Sequence, residues 1–157
     1  MSSDATPPPA SLPGSVLYTC NLNAVRSPMA EALTRHLYGK RFFVESAGLE
    51  PAARDPFAVA VMQEIGIDMS HDHPLAIDAI DIGSFDLVIS MTPESYEHVL
   101  DLTRAQAVEV EFWPTRDPFA AGEIGSREQR LTAYRQLRDE LRALLIKRFG
   151  PRDIAAQ

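Results

Sequence analysis

LYTCNLNAVRSPMAEAL, residues 17–33, passes from an apolar run into a helical pattern and holds the only cysteine of the chain, Cys20. The run SVLYTC, 15–20, has the length and composition of a buried strand. From Ser27 the spacing turns helical. Ser27 suits a cap, Pro28 suits the first turn, and Met29, Leu33 and Leu37 share one face as far as a stop at Gly39. Cys20 is therefore expected where a strand ends and a loop leads into a helix start.

Working outward, the same alternation repeats. FFVESA, 42–47, is a second strand candidate, followed by a helix over 55–66 with Asp55 as cap, Pro56 in the first turn and Gly66 as stop. FDLVIS, 85–90, is a third strand, and Thr92-Pro93 opens a short helix. AVEVEFW, 107–113, alternates as a fourth strand. A long last helix starts at Ser126, which has capping-box spacing to Gln129, with Leu131, Tyr134, Leu137, Leu141 and Leu144 as its apolar stripe. Strand–helix alternation over this length predicts a single α/β domain at 15–149, with a mainly parallel sheet and helices on both faces. The Pro- and Ser-rich stretch 1–14 and residues 150–157 read as tails.

Bulk composition narrows the function classes. The chain has 157 residues, 45% of them hydrophobic and 24% charged, which suits one globular domain. A formal charge of -7 argues against nucleic acid or an anionic membrane surface as partner. One cysteine excludes an internal disulfide and a multi-cysteine zinc site, and fits a reducing, cytoplasmic location. No apolar run approaches a membrane span, and the start has neither the basic nor the apolar region of a secretory signal.

The segment Cys20-Asn21-Leu22-Asn23-Ala24-Val25-Arg26-Ser27 is the candidate site. A loop of this length before a helix can turn several backbone N–H groups toward one point, where the helix dipole adds positive potential. Arg26 supplies a planar fork for two anion oxygens. Asn23 tolerates the left-handed conformation such loops often need. The same field is expected to hold Cys20 as a thiolate, helped by the Ser27 hydroxyl. No metal or organic cofactor is expected, since Arg26 and the amides take the place of a cation. The plain alternative is a buried structural cysteine.

Asp-Pro-Phe occurs twice. Asp55 has a sufficient task as a helix cap, whereas Asp117 lies in WPTRDPFAAGEIGS, 113–126, a loop after the fourth strand on the edge of the sheet expected for Cys20. Asp117 is therefore the candidate acid for protonating a departing oxygen.

These residues resemble the low-molecular-weight protein tyrosine phosphatase and arsenate reductase superfamily. CNLNAVRSPMAEAL is similar to its phosphate-loop signature, ESAG (45–48) and FDLVIS to its second and third strands, and RDPF (116–119) falls where it carries an Asp-Pro acid. The resemblance, over about 15–148, implies a four-stranded parallel sheet with flanking helices. It also implies attack on phosphorus by Cys20, stabilisation by Arg26 and the loop amides, and protonation by Asp117. The implied activity is a phosphomonoesterase acting on phosphorylated protein or small aryl phosphates. Three positions depart from the pattern. Leu22 stands where glycine is common, Val25 where a second cysteine is common, and Phe119 where tyrosine often follows Asp-Pro.

Two alternatives stay open. EPAARDPFAVAVMQEIGIDMS (50–70) and AYRQLRDEL (133–141) resemble arsenate reductases at least as well. With no further cysteine, only a version using an external small thiol fits. A non-catalytic phosphate- or phosphoprotein-binding module is the other alternative, suggested by Leu22. His71 and His73 lack further metal ligands and read as a polar loop, although the resemblance offers His71 a role in supporting the phosphate loop. Trp113 and Phe119 either flank a substrate ring or pack at a strand end.

Overall fold

The computed structural model describes residues 12–70, 73–118 and 125–152. Four strands, β1 (Ser15–Leu22), β2 (Phe43–Glu50), β3 (Leu87–Ser90) and β4 (Glu109–Phe112), form one sheet in the order β2-β1-β3-β4. Every neighbouring pair is parallel. The connections carry α1 (Arg26–Tyr38), α2 (Pro56–Gln63), α3 (Pro93–Leu102) and, after β4, α4 (Arg127–Phe149). Two single 3-10 turns, Ile77–Ala79 and Ile82–Ser84, lie between α2 and β3.

Alternation along β1 divides the core in two. Val16, Tyr18 and Cys20 point to the layer built by α1, α2 and α4, while Leu17 points to the layer holding Ile77, Ile82, Phe85 and Val99. Helices thus cover both faces, as the strand–helix alternation predicts. Tyr18 is fully buried, and its hydroxyl pairs with Thr34 Oγ1 at 2.7 Å, so its polar end is satisfied inside the core.

Local helix signals held where they were self-contained. Asp55 Oδ1 accepts from Phe57 N at 2.8 Å, and Thr92 Oγ1 accepts from Ser95 N at 3.1 Å. The Ser126–Gln129 capping box closes in both directions, at 2.8 and 3.2 Å. A cap contributes about 1 kcal/mol, whereas each large apolar side chain buried by α4 contributes about 1.5–3 kcal/mol. Packing therefore dominates what holds α4. Its buried stripe is Leu131, Tyr134, Leu137, Leu141, Leu145 and Phe149. Leu145 replaces the expected Leu144, because 3.6 residues per turn carries the stripe from 141 to 145 and 149.

Other boundaries moved. β1 runs past Cys20 to Leu22 and β2 reaches Glu50, because Cys20 pairs with Gly48 and Leu22 with Glu50 across the parallel ladder. β3 and β4 are shorter than read. The 3-10 turn at Ile82–Ser84 occupies the chain just before Phe85. Leu12 packs on the main core within the stretch read as a tail, while residues 1–11 and 153–157 lie outside the described residues. Among the described residues no helix is long and apolar enough to cross a membrane.

Candidate active site

Cys20 is 1% exposed on β1. Its Sγ lies 2.8 Å from the Leu22 carbonyl oxygen, to which the thiol donates, and 2.9 Å from Ser27 Oγ. Ser27 is not a helix cap. Val25 occupies the N-cap position of α1 with no side-chain bond, and Ser27 is buried against the sulfur instead.

Asn23 organises the loop from beneath. Fully buried, it donates through Nδ2 to Ser27 Oγ and to Ser46 Oγ, both at 3.0 Å, and its Oδ1 accepts from Leu75 N at 3.0 Å. No described residue other than glycine has positive φ, so Asn23 serves as a hydrogen-bond hub and not as a left-handed turn residue. Arg54 NH1 donates to both the backbone oxygen and Oδ1 of Asn23. Next to it, Asp55 N donates to Ala24 O at 3.2 Å. Gly48 lets β2 come this close, since a Cβ there would stand 2.5 Å from Asn23 N and 2.9 Å from Asn21 O. Asn21 is tied to the start of α3, accepting from Thr92 Oγ1 at 2.7 Å and donating to Glu94 Oε1 at 3.2 Å.

The amides do not all converge as expected. Asn23 N donates to Glu50 O at 3.3 Å, and Ala24 N to Leu22 O at 2.7 Å. Burial pushes the Cys20 thiol above its ordinary value of 9.0, against smaller opposing pulls from the Ser27 hydroxyl and amide, then Arg26 and Arg54. The expectation of a ready thiolate is corrected for this conformation. Sequence displays the cations near the sulfur, but not the desolvation or the carbonyl oxygen facing it.

A cleft of about 420 Å³ opens above the loop. Leu22, Ala24 and Val25 line its apolar side, and Arg26, Asn21, Asp55 and Asp117 its polar side. Arg26 NH1 donates to Thr115 O at 3.1 Å, which draws the segment after β4 over the loop. Asp117, exposed at the end of that segment, thereby shares a cleft with the Cys20 loop although distant in sequence. Asp55 reaches the same cleft, with Oδ2 accepting from Tyr134 OH at 2.9 Å. Burial and then Asp55 raise the Tyr134 phenol well above 10.0, and the charge of Asp117 adds to the effect.

Arg54, Ser46, Gly48 and the second role of Asp55 were missed in sequence. Ser46 and Gly48 carried a signal, both within ESAG; the Arg54–Asn23 contact spans 31 residues and leaves no local pattern. Trp113 packs on the main core and donates through Nε1 to Glu111 Oε1 at 3.1 Å. His71 and Phe119 lie outside the described residues, and the backbone oxygen of exposed His73 accepts from Arg54 NH2 at 3.5 Å.

A thiol on a parallel-sheet strand, under a loop that closes on a helix start, is the architecture of a known class. Residues 15–147 match the family model described as low molecular weight phosphotyrosine protein phosphatase, and the chain belongs to that family. An arsenate reductase of Shouchella clausii is 33% identical over 135 residues, covering 86% of this chain and 94% of the relative. An arsenate reductase of Bacillus subtilis is 31% identical over 126 residues, covering 80% and 88%. Among solved structures, the YwlE arginine phosphatase from Geobacillus stearothermophilus superposes with a TM-score of 0.69 at 27% identity, covering 88% of this chain and 91% of that one. The Erwinia amylovora tyrosine phosphatase AmsI shares the fold, with a TM-score of 0.70 at 19% identity over 88% and 94%.

Proposed function

We propose that Cys20 is the nucleophile of an oxyanion-processing enzyme, and that thiol-dependent arsenate reduction is its leading activity. The observation that carries this reading is the near end-to-end similarity to proteins named arsenate reductase, joined to a cleft that sets Arg26 and Asp117 around the Cys20 loop. The relatives support arsenate reduction over the phosphomonoester hydrolysis that the sequence resemblance implies first.

In the proposed reaction the Cys20 thiolate attacks arsenic. One arsenate oxygen departs as water with a proton from Asp117, leaving a Cys20–S–As(V) adduct held by Arg26 and the amides of the loop from Asn21 to Ser27. Cys20 is the only cysteine of the chain, so no internal thiol can complete the reduction. An external small thiol attacks the Cys20 sulfur, the electron pair of the S–As bond leaves with arsenic as arsenite, and a mixed disulfide remains. A second thiol then releases the external disulfide and restores Cys20. Such chemistry needs a supply of reduced small thiol, which suits a cytoplasmic location.

The position of Asp117 favours a second reading, hydrolysis of a phosphomonoester. There Asp117 protonates the departing alkoxide or phenoxide, and water then hydrolyses a phosphocysteine. Phosphorylated protein or small aryl phosphates are the substrate class of this reading. One preparation tests both. Arsenite formation that requires an added small thiol and is lost in Cys20→Ser supports reduction; aryl-phosphate hydrolysis without thiol-dependent arsenite formation supports the phosphatase. Vanadate or phosphate binding with neither turnover returns the chain to a binding module.

A further inference from the structure

The Leu22 carbonyl oxygen is the acceptor for two donors at once, Cys20 Sγ at 2.8 Å and Ala24 N at 2.7 Å. A thiol and a loop amide converging on one oxygen reproduce what an oxyanion oxygen would meet beside the sulfur. A trans peptide sends its C=O and the next N–H in opposite directions. Accordingly Asn23 N points away from the sulfur, to Glu50 O at 3.3 Å, a bond at the long end of the useful range.

The neighbouring peptides are anchored. Arg54 holds the Asn23 carbonyl, Asp55 N holds that of Ala24 at 3.2 Å, and the Asn23 side chain is held by Ser27, Ser46 and Leu75. The Leu22 side chain is 50% exposed, so turning the Leu22–Asn23 peptide repacks no core. Such a turn gives up the weak Asn23–Glu50 bond and the Ala24–Leu22 bond, frees both amides for an incoming anion, and takes the Leu22 oxygen off the sulfur.

We propose that the Leu22–Asn23 peptide is a self-capping switch of the oxyanion site: its carbonyl stands in an anion-oxygen position, and a tetrahedral oxyanion enters by rotating the peptide until the Asn23 N–H faces it. The rotation carries Asn23 to positive φ, a region that asparagine tolerates far better than most residues. This gives the Asn23 position a second use beyond its side-chain hub. It also couples anion binding to nucleophile activation, because the carbonyl oxygen leaves the sulfur only when the anion is present.

The proposal rests on the oxyanion reading of the cleft, and one pair of crystal structures separates the two. The full chain is crystallised in a buffer free of tetrahedral anions and again with saturating inorganic phosphate. The expected result is Leu22 O on Cys20 Sγ in the first. In the second, Leu22 O is turned away, Asn23 φ is positive and Asn23 N bonds a phosphate oxygen. Phosphate seated beside Cys20 with Leu22 O still on the sulfur overturns the switch and leaves the oxyanion reading standing. An anion-free loop already turned, with Asn23 φ positive, also overturns the switch alone. No phosphate at Cys20 under saturating conditions overturns both.

Discussion

Two copies of one tripeptide set their aspartates in different surroundings. Asp55-Pro56-Phe57 begins α2, where Asp55 accepts from two amides of the first turn and from the Tyr134 hydroxyl. Asp117-Pro118-Phe119 follows β4, where Asp117 is exposed at the rim of the cleft, over the loop that Arg26 ties to Thr115. Both carboxylates line the same cleft. A carboxylate that accepts from three donors is fixed in place as a cap, whereas one exposed at the mouth of a cleft is within reach of solvent and substrate. The proposed proton transfer is therefore given to Asp117, and capping of α2 to Asp55.

The largest expected effect removes the centre both aspartates surround. Cys20→Ser lowers arsenite formation and aryl-phosphate turnover by on the order of a thousandfold or more, measured on folded protein of unchanged circular dichroism. Asp117→Asn is expected to lower aryl-phosphate turnover by about a hundredfold or more, most with poor leaving groups, while the urea midpoint stays put. An Asp55→Asn variant with that same leaving-group dependence would reverse the assignment. Without added anion, Cys20 alkylation by iodoacetamide should climb about tenfold per pH unit beyond the ordinary thiol value of 9.0. Levelling off near neutrality would show that burial does not control this sulfur.

The smaller effects sharpen the contrast. Asp55→Ala is expected to cost about 1–2 kcal/mol in urea unfolding, through the lost cap and Tyr134 bond. Spectrophotometric titration of Tyr134 gives the finest comparison, because Asp55 outranks Asp117 in raising this phenol. Its midpoint should fall more in Asp55→Asn than in Asp117→Asn. A phenol raised in the folded state favours folding at pH below its ordinary 10.0, and that contribution is lost as pH rises past it.

Much of the fold was legible because its signals are short-range. Asp55, Thr92 and Ser126 cap through bonds to residues two or three places on, so residue type and spacing suffice. Leu144 against Leu145 shows the limit even there, since the stripe drifts with the true helical period. In the site, Cys20, Arg26 and Asp117 were each legible as residue types with a position. The Ser27 hydroxyl also meets the sulfur as expected, whereas the work of Asn23 and Arg54 was not legible, because each is defined by partners on other elements.

By itself the sequence determined an α/β domain with one thiol at the carboxyl edge of its first strand, a cation six residues on and a carboxylate after the fourth strand. Periodicity and chain order carry that much, because right-handed parallel connections leave few places for those residues to go. Tertiary structure alone decided that the thiol is desolvated, that a loop carbonyl faces it, and that Arg54 anchors the loop from another segment. Desolvation and peptide orientation depend on what every surrounding element excludes or contacts, which no local run of residues encodes.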